Sequence, residues 1–182
     1  KRLLFLSRLH HKKGLVELLY SWKVIQNKFY DWELVICGYD ENNYKEKIVE
    51  KIKELNLKRV ILNDFVTGKK KEEIYCSSDL FILLSHSENF GLSIAEALSY
   101  KIPVITTTNT PWKKLNKYKC GWCIKLDTAE IVRTLKKALS ISNKERISMG
   151  NIGREWMIKD FSDNSIGIRM DAVYKKILKK HF

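Results

Sequence analysis

The chain has 182 residues, of which 45% are hydrophobic and 30% are charged, an ordinary composition for one domain with a sizeable core. No apolar run approaches the ~20 residues that a membrane-spanning helix needs. The formal net charge of +13 leaves three interpretations: nucleic-acid binding, an anionic membrane surface, or a lysine-rich solvated surface. We favour the third over nucleic-acid binding, because the basic residues are spread over many predicted helices and no nucleic-acid motif is present.

The chain opens with a strand, a loop and a helix. An apolar run at 3–7 predicts a buried strand, and apolar residues at helical spacing follow from Leu15. This unit is typical of a doubly wound sheet, but its loop lacks the G-x-G-x-x-G pattern of dinucleotide-binding proteins. The loop instead carries Arg8 and Lys13, two cations that can neutralise a diphosphate or simply face solvent.

The second strand, predicted at 32–37, ends at Gly38. A glycine at the carboxyl end of a strand permits close approach by a ligand or a tight turn, and these two interpretations are compatible. The next predicted elements are a helix, a strand, a short helix and a strand, at 44–56, 59–62, 69–77 and 79–84. Helices are also predicted at 127–140, at 144–160 and from 163 onwards.

The central stretch, residues 85–105, joins a polar loop to a helix that is predicted to begin near Phe90 and Gly91. The backbone N–H groups of residues 90–92 are then unpaired, and such a helix start favours an anion. Glu88, beside this start, is better placed to accept hydrogen bonds from hydroxyls than to bind phosphate. Glu96 can reach a second set of hydroxyls two turns later. A phosphate flanked by two sets of hydroxyls describes a sugar nucleotide.

The string ENFGLSIAEAL from Glu88, followed by IPVIT, resembles the E-x7-E element of retaining glycosyltransferases of the GT-B fold, family 4. The resemblance covers nearly the whole chain and matches the donor-binding, C-terminal half of such enzymes. It implies a Rossmann-like α/β fold, a doubly wound parallel sheet of about six strands with helices on both faces. We expect residues 1–182 to form one nucleotide-sugar-binding domain. Lys1 is not an initiator Met, so we expect the native N-terminus and the acceptor domain to be missing.

The resemblance also implies roles for particular residues. The family has an arginine and a lysine at the spacing of Arg8 and Lys13, in contact with the donor diphosphate. Glu88 is expected to orient the hydroxyls of the donor sugar, and these three residues form the predicted catalytic set. Transfer would retain the anomeric configuration by front-face attack assisted by the leaving phosphate, with no general base assigned.

Glu96 is expected to bind the ribose, and the loop after the third strand is expected to lie against the base. The predicted donor-binding residues are Gly38, Phe65, Val66, Asn89, Phe90, Gly91, Leu92 and Glu96. Two positions depart from the family pattern, since Asn89 and Lys101 stand where glycine is usual. A left-handed lysine costs roughly 1 kcal/mol, which affects stability more than chemistry.

No pair of aspartates has the D-x-D spacing that suggests a metal-bound diphosphate, so we predict no metal site and no cofactor beyond the donor. Cys120 and Cys123 form a C-x-x-C, which raises redox and zinc sites. The motif does not open a helix and has no second pair of ligands, so two reduced thiols in a cytosolic protein are favoured.

The loop TTTNTPW, which ends at Trp112, resembles bacterial enzymes that build surface polysaccharide or lipopolysaccharide. Trp112 could line the sugar pocket or fill the core, with equal weight. The last helix carries an apolar stripe, and in the full family fold this helix crosses back to the other domain. The stripe is therefore expected to be partly uncovered in this chain.

We predict the donor-binding half of a retaining, metal-independent hexosyltransferase that uses a nucleotide-diphosphate sugar. Its glycan or lipid-linked acceptor would bind through the missing domain, so the isolated chain should bind the donor but transfer sugar poorly or not at all. We expect a cytoplasmic protein, with peripheral contact to the anionic inner face of the membrane as the secondary expectation and no nucleic-acid partner. The alternatives are a non-catalytic nucleotide-binding domain and a basic module for membranes or nucleic acids.

Overall fold

Six strands form one parallel sheet in this computed structural model, which describes the backbone of residues 1–181 and the side chains of residues 1–178. In chain order, the strands are β1 (Arg2–Leu6), β2 (Glu33–Cys37), β3 (Val60–Asn63), β4 (Leu80–Leu83), β5 (Val104–Thr107) and β6 (Gly121–Ile124). Their spatial order is β3-β2-β1-β4-β5-β6, so the direction of winding reverses between β1 and β4. This doubly wound, Rossmann-like sheet confirms the fold that the sequence predicts.

β1 and β4 lie at the centre of the sheet and are apolar along most of their length. Leu3, Leu4 and Phe5 in β1, and Phe81 and Ile82 in β4, are fully buried. Continuous apolar strands of this kind occur where helices cover both faces of a parallel sheet. The core therefore extends over both faces, and polar groups concentrate at the ends of the strands.

The helices are α1 (Leu15–Ile25), α2 (Tyr44–Glu54), α3 (Gly68–Cys76), α4 (Leu92–Ser99), α5 (Lys114–Tyr118), α6 (Thr128–Ser140), α7 (Asn143–Phe161) and α8 (Asp163–His181). α1 packs against α2 and α6, whereas α4 packs against α7, which gives the two helical layers that a doubly wound sheet requires. Asp127 caps α6, because its carboxylate accepts a hydrogen bond of 2.9 Å from the N–H of Glu130.

The last helix, α8, contacts α7 but leaves its predicted apolar stripe exposed. The stripe consists of Ile166, Met170, Val173, Ile177 and Leu178, whose exposed fractions range from 39% to 58%. This exposure agrees with the expectation that the stripe is uncovered in this chain. None of the helices in the described part of the chain is both long and apolar enough to cross a membrane.

Two glycines allow the loops at the carboxyl ends of the strands to approach one another closely. Gly14 has a φ of +68°, and a Cβ atom there would lie 2.0 Å from the carbonyl oxygen of Leu84. A Cβ atom on Gly38 would lie 2.0 Å from the carbonyl oxygen of Ser7. Any larger residue would push these loops apart, so the two glycines bring the ends of β1, β2 and β4 together.

The turn between α4 and β5 packs against α7, the helix that also covers α4. Lys101 has a φ of +61°, which confirms the left-handed conformation predicted for it. Gly150 of α7 lies directly against this turn, since a Cβ atom there would be 1.9 Å from the carbonyl oxygen of Lys101. The close approach of α7 fixes α4 from behind, and α4 in turn begins at the candidate site.

Candidate functional site

The candidate site lies where β1 and β4 end, at the reversal of the sheet, which is where open α/β sheets bind ligands. Lys13 follows β1 and is only 8% exposed. Its Nζ donates to Oε2 of Glu88, which follows β4, at 2.6 Å. The hydroxyl of Ser85 donates to the same oxygen at 3.3 Å. The predicted catalytic residues Lys13 and Glu88 therefore form a largely buried ion pair.

Arg8, the third member of the predicted catalytic set, is at the edge of the site, with 58% of its side chain exposed. Its Nη1 donates to both carboxylate oxygens of Glu41, at 3.0 and 2.8 Å. Glu41 lies in the loop between β2 and α2, and nothing but its charge indicates this contact in the sequence. A competing anion at the site must therefore attract the Arg8 guanidinium away from a surface carboxylate.

Four of the predicted residues meet in one cavity of about 350 Å³. Its lining consists of Arg8, His10, Lys12, Lys13, Ser87, Glu88 and Asn89. Three cationic side chains around a single carboxylate suit a polyanion that also carries hydroxyl groups. His10 and Lys12 were not predicted as site residues, although both lie between Arg8 and Lys13 in the chain.

His10 contributes to this cavity as a neutral side chain. Partial desolvation lowers the pKa of His10, and the neighbouring His11 ring lowers it further. Its Nδ1 accepts a hydrogen bond of 3.2 Å from the N–H of Lys12, which stabilises the turn that carries Lys13. His10 therefore shapes the loop without adding to its positive charge.

Glu96, the second carboxylate of the E-x7-E element, is held by two residues of α3. Lys71 Nζ donates to Oε1 of Glu96 at 2.6 Å, and the Tyr75 hydroxyl donates to Oε2 at 2.8 Å. Lys71 and Tyr75 are four residues apart and so lie on one face of the helix. Burial, and secondarily the charge of Glu96, raises the pKa of Tyr75 far above its ordinary value, so its hydroxyl remains a donor.

A second cavity, of about 190 Å³, lies beside Glu96 and shares Arg8 with the first. Its lining consists of Leu6, Ser7, Arg8, Cys37, Gly38, Tyr39, Phe65, Val66, Lys71, Leu92, Ser93 and Glu96. The rings of Tyr39 and Phe65 meet edge to face at 6.3 Å and form an exposed aromatic wall. Five of the predicted donor-binding residues thus lie around one cavity, next to the cationic one.

The start of α4 differs from the sequence prediction. Gly91 adopts a left-handed conformation with φ of +79°, and the helix begins at Leu92 rather than near Phe90. The N–H of Ile94 is already bonded to the carbonyl of Gly91 at 2.9 Å. In the described residues, the N–H groups of residues 90–93 have no acceptor, so the unpaired amides include the predicted 90–92 and extend to Ser93. The helix start was predicted about one residue too early, because Gly91 was taken as helical, whereas its positive φ makes it the cap.

Of the predicted residues at this turn, Asn89 lines the first cavity and Leu92 lines the second. Phe90 and Gly91 line neither of them. The carbonyl of Phe90 accepts a hydrogen bond from the indole N–H of Trp112. Its ring lies 5.3 Å from that of Trp112, so Phe90 anchors the turn to the core side. These two residues shape the backbone at the site, and the predicted contact of their amides with a donor stays a prediction.

Trp112 belongs to the core, which decides between its two predicted placements. It is 2% exposed, and its ring lies 5.4 Å from that of Trp156 and 5.5 Å from that of Phe161. This aromatic cluster joins the turn before α4 to the end of α7. Trp112 therefore supports the site from behind through its bond to Phe90, rather than lining a sugar pocket.

The C-x-x-C motif is buried and reduced. Cys120 and Cys123 are both free thiols, and burial raises the pKa of Cys120 to about 11 and also raises that of Cys123. Neither thiol is a ready nucleophile or redox group, because reactivity requires the thiolate. Among the described side chains, those of residues 1–178, no group of three or more His, Cys, Asp or Glu is arranged to hold a metal ion.

Comparison with protein families adds an independent observation to this geometry. The family model described as "Glycosyl transferases group 1" matches residues 1–156. The chain belongs to this family. The match includes β1 to β6 and both cavities, so the residues around Glu88 and Glu96 lie within the part of the chain that defines the glycosyl transferases of group 1.

Two curated relatives of this group 1 chain are considerably longer than the chain itself. The capsular polysaccharide biosynthesis glycosyltransferase CapM of Staphylococcus aureus is 26% identical over 97% of this chain and 46% of the relative. The 2-deoxystreptamine N-acetyl-D-glucosaminyltransferase of Niallia circulans is 33% identical over 60% of this chain and 28% of the relative. The chain thus spans less than half the length of these relatives.

A solved structure identifies the part of the fold that this group 1 chain represents. The C-terminal domain of the glycosyl transferase group 1 protein LpcC of Francisella tularensis matches with a TM-score of 0.78 at 23% identity. The match covers 89% of this chain and 86% of that domain. The chain therefore has the fold of the C-terminal domain of a GT-B glycosyltransferase, as the sequence predicts.

Proposed function

We propose that this chain is the donor-binding half of a retaining glycosyltransferase that moves a hexose from a nucleotide-diphosphate sugar. The observation that carries the proposal is the pair of adjoining cavities with Arg8 between them. One has Glu88 and Lys13 at its wall, and the other has Glu96. A cationic centre flanked by two carboxylates matches a diphosphate flanked by two sets of hydroxyls.

In this proposal, the nucleoside occupies the smaller cavity, with the ribose at Glu96 and the base against Gly38, Phe65 and Val66. The diphosphate lies between Arg8, Lys13 and the unpaired amides at the start of α4, and the sugar lies beside Glu88. Helix N-termini and ammonium groups both stabilise phosphate oxygens.

The chemistry that follows is stabilisation of the leaving diphosphate by the fixed cations of the chain. Arg8 and Lys13 would oppose the negative charge that develops as the bond to the sugar breaks, usually the largest contribution to such catalysis. Glu88 would hold the sugar hydroxyls, and we assign no general base. We propose that no metal is needed, because these cations already supply the positive charge.

We further propose that the whole protein acts in the synthesis of a bacterial surface polysaccharide or lipopolysaccharide. The support is the similarity to CapM over 97% of this chain and the loop that ends at Trp112. The glycan or lipid-linked acceptor would bind to a part of the protein outside this chain. A cytoplasmic location with peripheral contact to an anionic membrane would suit the net charge of +13.

The proposal is tested by titrating the 182-residue chain with UDP, GDP and ADP, with and without magnesium, while recording amide chemical shifts by NMR. We expect one nucleotide to produce saturable shifts at Gly38, Leu92, Ser93 and Glu96, to the same extent in both conditions. Failure of all three nucleotides to bind would overturn the donor site, and a strict requirement for magnesium would overturn its metal independence.

Two variants sharpen the titration. Glu96→Ala should weaken nucleotide binding by about tenfold or more, since a hydrogen bond to a charged group contributes about 1.5–3 kcal/mol. Glu50→Ala, on the exposed surface of α2, removes the same charge away from both cavities and should leave the affinity unchanged. Sugar transfer should be undetectable with this chain alone, and turnover at enzyme-like rates would contradict the assignment of a donor-binding half.

A further inference from the structure

Lys71 lies beside Glu96 in the smaller cavity and has no role in the donor binding proposed for this chain. It lines the cavity together with Ser93 and Glu96. The side chains of Lys71 and Glu96 are 30% and 26% exposed, so the ion pair opens into the cavity rather than into the core. The pair thus presents a cation and a carboxylate side by side to whatever occupies this space.

Tyr75 fixes the carboxylate of this pair from the buried side. Its side chain is 1% exposed and its ring stacks on Tyr100, with centroids 5.0 Å apart and an interplanar angle of 8°. Since its pKa lies far above the ordinary value, its hydroxyl keeps its proton, and it donates to Oε2 of Glu96 at 2.8 Å. The rotamer of Glu96 is therefore set before any ligand arrives.

The pair retains unused hydrogen-bonding capacity toward the cavity. An ammonium has three N–H donors, and in the described residues Lys71 uses one of them, on Oε1 of Glu96. A carboxylate has about four acceptor positions, and here Lys71 and Tyr75 occupy one on each oxygen of Glu96. Donors and acceptors thus remain next to each other on the same wall.

We propose that Lys71 determines specificity for a ribose in this cavity, with Glu96 as its partner and Tyr75 as a positioning residue. Glu96 accepts the hydrogens of the two vicinal hydroxyls, and Lys71 donates to the oxygen of one of them. The inference rests on the proposed function, because it assumes that a nucleoside diphosphate occupies the cavity. It adds a residue and a selectivity that the family resemblance did not assign.

A vicinal diol is the group that best satisfies this arrangement. Each hydroxyl is both a donor and an acceptor, so a diol can pair with the carboxylate and the ammonium together. A 2′-deoxyribose lacks one hydroxyl and leaves hydrogen-bonding positions of this charged pair unfilled in a partly buried cavity, which is disfavoured. Lys71 also neutralises Glu96 and so reduces its repulsion of the neighbouring diphosphate.

The test compares UDP with 2′-deoxy-UDP, and the GDP and ADP pairs likewise, by isothermal calorimetry on the 182-residue chain. The unchanged chain should prefer the ribonucleotide by about ten- to hundredfold, as expected for hydrogen bonds to charged groups. Lys71→Met should lower ribonucleotide affinity and reduce the preference to about threefold or less. The matched control is Lys70→Met, which removes the same charge from an exposed position of the same helix.

Two further variants separate specificity from folding. Lys71→Arg retains a cationic donor and should keep the preference within about threefold of the unchanged chain. Tyr75→Phe should reduce the preference as well, because Glu96 loses its fixed rotamer, whereas a purely structural role would shift the thermal midpoint and leave the ratio unchanged. Thermal unfolding of each variant identifies any loss of fold.

The outcomes distinguish this inference from the proposed function. If the unchanged chain binds a nucleoside diphosphate without preference for ribose, or if folded Lys71→Met keeps the preference, the role of Lys71 is overturned and the donor site stands. If Lys70→Met reduces the preference as much as Lys71→Met, a general charge effect replaces the specific contact. If no nucleotide binds the unchanged chain, both the donor site and this inference are overturned.

Discussion

The two glutamates of the E-x7-E element are each paired with a lysine. The two pairs differ in burial and in the kind of structural element that carries their residues. Both pairs have an N–O distance of 2.6 Å. In the Lys13–Glu88 pair the side chains are 10% and 16% exposed, against 30% and 26% in the Lys71–Glu96 pair. The first joins two loops, whereas the second joins two helices. Similar contacts therefore depend on different parts of the fold.

The difference in burial separates stability from binding. Breaking a buried pair leaves a charge without solvent or partner and is strongly destabilising, whereas a pair near the surface contributes little to stability. We therefore expect changes at Lys13 and Glu88 to affect folding and binding together. Changes at Lys71 and Glu96 should affect mainly the recognition of the ligand.

The largest expected effect comes from the glycine that places Lys13 next to Glu88. Gly14→Ala puts a Cβ atom 2.0 Å from the Leu84 carbonyl oxygen at a positive φ, so it should reduce the free energy of unfolding by about 3 kcal/mol. Urea unfolding measures this change. The control is Gly167→Ala in α8, where a Cβ atom meets nothing within 4 Å and should be neutral or slightly stabilising. Equal stability of both variants would show that the close approach of Gly14 to the Leu84 carbonyl does not contribute to stability.

Double-mutant cycles compare the two pairs directly. For Lys13→Met with Glu88→Gln we expect a coupling free energy of about 2 kcal/mol, less than for a fully buried pair because both side chains keep some exposure. For Lys71→Met with Glu96→Gln we expect less than about 1 kcal/mol. Chemical unfolding of the single and double variants supplies both values. Similar coupling energies in the two cycles would remove the distinction between the pairs.

A smaller effect is expected at the turn that separates the two glutamates. Trp112→Phe keeps an aromatic ring in the cluster but removes the indole donor to the Phe90 carbonyl, at a cost of about 1 kcal/mol in unfolding free energy. The start of α4 should loosen, so affinity for a nucleoside diphosphate should fall more than affinity for the nucleoside. Trp122→Phe, at a partly buried tryptophan outside both cavities, serves as the control. Equal losses of affinity for the nucleoside diphosphate and for the nucleoside would show that Trp112 does not act through the diphosphate contacts.

The smallest effect concerns Arg8, the cation that has no buried partner. Glu41→Gln removes its surface carboxylate partner and should change the unfolding free energy by less than about 0.5 kcal/mol. Affinity for the diphosphate should rise by about two- to fivefold at low salt, and this gain should shrink as salt screens the charges. Calorimetric titration at two salt concentrations measures both trends. A fall in affinity would instead identify Glu41 as a contact of the ligand.

The strands and most helices could be predicted from the sequence because their signals are local. A run such as Leu3–Phe5 is apolar without interruption, which is the pattern of a strand covered on both faces. The left-handed Lys101 was also correct, since it depends on residues adjacent in the chain. The start of α4 was misplaced by about one residue, because helix boundaries depend on the conformation of a single residue, here Gly91.

The partners of the site residues could not be predicted in this way. Lys71 precedes Glu96 by 25 positions and Glu41 follows Arg8 by 33, so only the packing of α3 and of the loop after β2 brings them together. Trp112 had equal weight as a pocket or core residue, and its place in the cluster with Trp156 depends on the packing of α7. In each case the relevant contact joins elements that are distant in sequence.

From the sequence alone, one can derive the class of sheet, the stretch that carries the site and the identity of both glutamates. These follow from local patterning and from a motif whose residues are neighbours along the chain. The tertiary structure decided which lysine neutralises each glutamate, at which residue α4 begins and that Trp112 supports the turn rather than the ligand. The physical reason is that charge pairing and burial depend on distances in space, which helical layers and close-approaching glycines set only after the sheet has formed.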